Sequence, residues 1–191
     1  MRRLGVSGAL MAAAVAVLVA FSWFGPAGVR AAGTGGQISI GSTSLSSALI
    51  VVPVDTTAPA DPMYGWNVHL QWDPALLQYD SFVVGPVLAG CSPASAVDAG
   101  GGGVTIGCSL TGTTNSSAAG TLVTVNLTAK AAGSNCSNLH LFTFGPPDGG
   151  TANSGTYTLD DAEVAPQVNT YGPDKGVNTS TGASCQAAAP T

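Results

Sequence analysis

After residue 36 the apolar and polar positions alternate with a period of two over most of the chain. The longest run places Tyr64, Trp66, Val68, Leu70 and Trp72 on one side and Gly65, Asn67, His69 and Gln71 on the other. Nine residues at that period predict a strand with one face on a core and one on solvent. Residues 121–129 repeat the pattern, with Thr121, Val123, Val125, Leu127 and Ala129 expected inside and Leu122, Thr124, Asn126 and Thr128 outside. Shorter strand signals occupy 37–40, Leu45, 48–54, 79–84, 95–98, 104–106, 139–144, 156–159 and 163–168, separated by Gly, Pro, Asn and Asp. Pro53 lacks an amide donor and belongs at a strand end or sheet edge. Asp73-Pro74 ends the long run, because the residue before proline is driven from the helical region. Residues 74–77 then suit one helical turn capped by Asp73. Tyr79 and Phe82 fall on opposite faces of a regular strand.

The first thirty residues follow a different rule. Arg2 and Arg3 precede an apolar run, 9–24, whose one polar member is Ser22, and Gly25-Pro26 closes it. Val29-Arg30-Ala31 then supplies small residues at the −3 and −1 positions of a cleavage site. This order is that of a secretory signal peptide, 1–31. Its apolar run is shorter than the roughly 20 residues a spanning helix needs, so no stable membrane insertion is expected after cleavage. The domain proper is expected over 32–171. Residues 172–191, rich in Gly, Ser, Thr, Asn and Ala without apolar period, are expected to be a flexible tail or linker.

Composition then narrows the class. Lys, Arg, Asp and Glu make up 8% of the 191 residues, with 26 glycines and 12 prolines. That excludes a helical bundle and favours many short strands. The whole chain carries −5; without Arg2, Arg3 and Arg30 the remainder has Lys130 and Lys175 against ten acids, 2 − 10 = −8. Nucleic acid needs a basic footprint and is excluded as a partner, and acidic polysaccharides are poor ligands for the same reason. About nine strands over 37–170 predict a single all-β domain of two packed antiparallel sheets.

Cys91, Cys108, Cys136 and Cys185 are spaced 17, 28 and 49 apart without a C-x-x-C, which favours two disulfides in an oxidising compartment over a zinc site. Three connectivities are possible. The glycine turn 100–103 between two strand signals brings the flanks of a hairpin together and favours Cys91–Cys108, leaving Cys136–Cys185.

Catalytic patterns are missing. Glu163 is the only glutamate, and the neighbours Asp160 and Asp161 point to opposite faces of a strand. Neither a metalloprotease helix motif, a nucleophile elbow nor a phosphate loop occurs. No enzyme activity, catalytic residue or metal ligand set is expected. His69 and His140 lie on different strands, and two histidines alone make a poor metal site. Calcium is the one cofactor left open, through loop carboxylates such as Asp98, Asp148, Asp160 and Asp161. Tyr64, Trp66 and Trp72 are expected to pack in the core, although Trp72 at the strand end could be half exposed; Tyr157 and Tyr171 are the better surface aromatics. The Asn-x-Ser/Thr triplets at Asn115, Asn126, Asn135 and Asn178 are the chance product of a Ser/Thr-rich chain.

Several of these residues, in order, carry a resemblance: Val52-Pro53-Val54, then Gly65-Trp66-Asn67-Val68-His69-Leu70-Gln71-Trp72-Asp73-Pro74-Ala75-Leu76-Leu77, then the strand ending at Gly85, then Ala119-Gly120-Thr121-Leu122-Val123-Thr124-Val125. As an ordered set over roughly 37–170 they resemble a cohesin-type domain, which is related in architecture to bacterial carbohydrate-binding modules. The resemblance implies a nine-stranded jelly-roll sandwich and non-catalytic recognition outside the cell, of a dockerin-like protein module or of a polysaccharide. Two disulfides depart from a cellulosomal scaffoldin. Recognition of the cohesin type would use a flat sheet face, and the candidates are Asn67, His69 and Gln71 with the adjoining polar positions Asn126 and Thr128. The chain is therefore expected to be secreted, free or at the cell surface, and to act by docking, by direct carbohydrate binding, or as a structural or adhesive domain.

Overall fold

The computed structural model describes residues 34–59, 62–110, 115–130, 133–141, 155–160, 163–166 and 168–186. All belong to one unit, Ala32–Thr191. The expected signal peptide lies outside the described residues, as does the 142–144 end of the expected strand at 139–144.

The described strands in chain order are β1 (Thr34–Ile40), β2 (Ser44–Ser46), β3 (Leu49–Thr56), β4 (Gly65–Gln71), β5 (Leu77–Val84), β6 (Ser92–Val97), β7 (Gly103–Ser109) and β8 (Gly120–Ala129). They continue with β9 (Cys136–Leu141), β10 (Gly155–Asp160), β11 (Glu163–Pro166), β12 (Val168–Tyr171), β13 (Lys175–Asn178) and β14 (Ser184–Cys185). Fourteen strands appear where about nine were expected, because several pairings last only two to four residues. A single 3-10 turn, Pro86–Leu88, is the only helix among the described residues.

These strands form two sheets. The smaller runs β12-β1-β3-β8-β5, with β2 added on β3. The larger runs β11-β10-β4-β9-β13-β14, with β7 on β4 and β6 on β7. Pairing is antiparallel except between β1 and β12, which run parallel and so correct the expectation of wholly antiparallel sheets. The inward faces supply one core: Ile50, Val52 and Val54 from β3, Val125 and Leu127 from β8, against Trp66, Val68 and Leu70 from β4 and Val104 and Ile106 from β7. Fully burying one such side chain stabilises by about 1.5–3 kcal/mol. Trp72 is buried as well, as expected for the core-facing aromatics of its strand.

Two bulges change the expected facing. In β8 the register slips beside Leu122: Val54 pairs with Val123, but Asp55 pairs with Thr121. Two residues then oppose one, so Leu122 and Val123 are both fully buried while the Thr121 hydroxyl donates to Asp55 at 2.7 Å. Strict alternation had placed Leu122 outside and Thr121 inside. In β5 the slip falls at Asp80, between the Tyr79–Leu127 and Ser81–Asn126 pairs. It brings Tyr79 and Phe82 onto the same side, both packed against the core, where opposite faces were expected.

The segment expected to be a flexible tail is also corrected as far as residue 186. β13 pairs with β9 over Lys175–Leu139 to Asn178–Cys136, and β14 closes on β13. Asn178 accepts the amides of Ser180 and Thr181 within the connecting turn. Cys185 bonds to Cys136, and Cys91 to Cys108, the pairing favoured from the hairpin. The expected turn after the long strand is present: Asp73 accepts the amide of Ala75 on its carboxylate and those of Leu76 and Leu77 on its carbonyl.

Candidate docking face

Because Trp66, Val68 and Leu70 point inward, Gly65, Asn67, His69 and Gln71 point out of the larger sheet. Beside them β7 alternates in the same way: Val104, Ile106 and Cys108 are buried, so Gly103, Thr105, Gly107 and Ser109 face outward. In β6, Ser92 pairs with Ser109 and Ala94 with Gly107. The three strands therefore share a face of Gly, Ala, Ser, Thr and Asn side chains. Two glycines and an alanine leave a depression of about 310 Å³ at the Gly65 end, bordered by Asn67, Ser92 and Ser109.

The other end of the face is polar. The Asp98 amide donates to the Gly103 carbonyl, Gly103 pairs with Gln71, and Gln71 pairs with His140 of β9. His140 Nδ1 lies 2.6 Å from Asp174, just before β13. A row Asp98, Gly103, Gln71, His140, Asp174 thus crosses the sheet. Gly103 is required there: a Cβ would fall 2.2 Å from Asp98 Oδ2, which crosses over it to reach His69 Nε2 at 2.9 Å.

The expected site residues separate. Asn67 and Gln71 are half-buried on this face. His69 is only 5% exposed beneath Asp98, so it supports the face and offers no open contact, a correction caused by the carboxylate folding over it. Asn126 and Thr128 lie on the outer side of the smaller sheet, because β8 pairs with β3 and β5 and never with β4. They do not adjoin the other three. Period-two reading finds which side a residue faces but not which sheet its strand joins. The β7 and β6 contributors, Gly107, Ser109, Ser92 and Ala94, were missed, although the Val104/Ile106/Cys108 alternation was there to expose them.

Among the described residues no group of three or more His, Cys, Asp or Glu side chains is placed to hold a metal ion. Of the carboxylates expected for calcium, Asp98 lies with one oxygen against His69, Asp160 lies in β10, and Asp148 and Asp161 fall outside the described residues. No described helix is long and apolar enough to cross a membrane. Tyr171, expected at the surface, is partly buried against the core.

Two sheets closed over one core, with a hollowed outer face on the larger, define an all-β sandwich. No protein-family model matches the sequence, and no curated protein sequence matches it. Solved structures do match, and they give the chain a cohesin-type fold. The seventh type I cohesin of ScaB from Pseudobacteroides cellulosolvens superposes with a TM-score of 0.57 at 14% identity, over 82% of this chain and 96% of that one. The third ScaC cohesin of Acetivibrio cellulolyticus, solved with the ScaB dockerin, gives 0.56 at 17% over 74% and 96%. A non-cellulosomal cohesin from the archaeon Archaeoglobus fulgidus gives 0.54 at 18% over 76% and 91%.

Proposed function

We propose that this chain is an exported, non-catalytic docking module that binds a dockerin-like protein module through the outer face of its larger sheet, in extracellular or cell-surface polysaccharide handling. The observation that carries the reading is the relief of that face. Three adjacent strands present small side chains around a depression, which leaves backbone and hydroxyl groups close to an incoming partner. Structural neighbours crystallised with dockerins support this class of partner. The apolar leader of the sequence and the two disulfides support an oxidising, extracellular compartment. Direct polysaccharide binding is the weaker alternative, since Trp66 and Trp72 are buried in the core and Tyr64, Tyr79 and Tyr171 pack against it, so none of these five offers a stacking platform.

The test uses the full chain, produced with its leader so that both disulfides form. A panel of type I and type II dockerin modules is titrated by calorimetry, and the same protein is sedimented with cellulose, chitin and xylan. A saturable one-to-one complex with a dockerin, weakened at least tenfold by Asn67→Arg, is the expected result. Retention on a polysaccharide with no dockerin complex would overturn the assignment.

A further inference from the structure

We infer that the partner engages this face at two points of different chemistry, a bulky apolar side chain in the depression and a cationic side chain over the Asp98–Asp174 row. The inference rests on the docking reading and specifies what the partner must carry.

The apolar point follows from what is missing at the Gly65 end. The depression is about 310 Å³, at the small end of the roughly 300–1,000 Å³ usual for ligand clefts. Gly107 is not demanded by local packing: a Cβ there would meet Asn67 Oδ1 at 3.5 Å and the Trp66 carbonyl oxygen at 3.8 Å, both ordinary contact, and its φ is not in the left-handed region. A glycine in a strand interior is unfavourable unless another group approaches closely. Nothing described in this chain occupies that space, so the close approach is left to a partner. Residues that anchor interfaces in such pockets are characteristically Trp, Tyr or other large side chains.

The cationic point follows from charge. Asp98 and Asp174 are 32% and 46% exposed, and their described partners on this face are histidines. No arginine follows residue 30. Both lysines are turned to backbone carbonyls elsewhere, Lys130 to Pro74 at 2.7 Å and Lys175 to Gly41 at 3.0 Å. The chain thus brings no lysine or arginine to this row, and a partner's Lys or Arg is the complement; Arg suits it better because its planar fork matches a carboxylate with two parallel hydrogen bonds. Along β4 the two points are separated by the five residues from Trp66 to Gln71, roughly 17 Å. On a partner helix that corresponds to about eleven residues, three turns.

The test uses the ¹⁵N-labelled full chain. Titration with N-acetyl-tryptophanamide is expected to shift the amides of Gly65, Asn67, Gly107 and Ser109, and argininamide those of Gln71, Gly103 and His140. An alanine-rich helical peptide with Trp and Arg eleven residues apart should bind at least tenfold more tightly than one with the pair four apart. Gly107→Val, or Ala94→Trp on exposed β6 should Gly107→Val fail to fold, should abolish the tryptophanamide shifts and leave those of argininamide. Asp98→Asn with Asp174→Asn should do the reverse. Shifts centred on the smaller sheet, no shifts at all, or equal affinity of the two peptides would overturn the inference. Fragment binding without any dockerin complex would instead overturn the choice of partner class and leave the two-point chemistry standing.

Discussion

The outer faces of the two sheets are both sparsely charged, yet they differ in relief. On the smaller sheet the outward positions of β3, β8 and β5 carry full-sized side chains: Thr124 lies between Pro53 and Val83, Asn126 between Val51 and Ser81, Thr128 between Leu49 and Gln78. Two polar contacts of the smaller sheet are made within it: the Asn126 amide donates to the Ser81 hydroxyl at 3.1 Å, and the Thr121 hydroxyl donates to Asp55. On the larger sheet the corresponding stretch of β4 and β7 has glycine at 65, 103 and 107. Cross-strand pairing stabilises the first face, and the second gives up that stabilisation. Two sparsely charged faces can thus differ in build. One completes itself, and the other leaves room.

The largest test removes the covalent limit of the larger face. Cys136 and Cys185 close a loop of 49 residues and hold the β13–β14 hairpin, and with it Asp174, against β9. The double substitution Cys136→Ser, Cys185→Ser should lower unfolding free energy by about 4 kcal/mol. Denaturant titration reads the loss. Hydrogen exchange should localise it, rising in β9 and β13 while β3 and β8 of the smaller sheet stay protected; uniform loss across both sheets would mean the hairpin is no local appendage. Next in size is Gly103→Val. It displaces Asp98 from His69 and leaves a buried imidazole without its charged acceptor, a loss of about 1.5–3 kcal/mol. The histidine Cε1–H resonance reports the break directly.

How much of this difference was legible beforehand depended on whether a feature belongs to one strand or to a pair. The facing of β4 is a property of its own residues, and Tyr64 to Trp72 showed it. The bulges beside Leu122 and at Asp80 are properties of register against β3 and β8, so strict alternation misplaced Leu122, Thr121, Tyr79 and Phe82. Sheet membership is also relational, which is why Asn126 and Thr128 were grouped with a face they do not touch. β13 and β14 escaped notice because only Val177 among their side chains is deeply buried. Backbone pairing to β9, the disulfide and the Asn178 turn hold them, and none of these leaves an apolar period. The Cys91–Cys108 bond, by contrast, was readable because a glycine turn between two short strands is a local feature.

The smaller effects divide the two faces most sharply. Asn126→Ala removes a part-buried hydrogen bond to Ser81 and should cost about 1 kcal/mol, with no change in affinity for any docking partner. Gly107→Ala should do the opposite. An added methyl at 107 meets only ordinary contact, and an alanine loses less chain entropy in a strand than a glycine, so stability should change by no more than about 0.5 kcal/mol in either direction. If the glycine exists to leave space for a partner, affinity should nonetheless fall, since the methyl rises from the floor of the depression. Thermal melting beside calorimetric titration of the same two variants decides the matter. A stability loss at Gly107 as large as that at Asn126, with affinity untouched, would make both faces structural surfaces of the same kind.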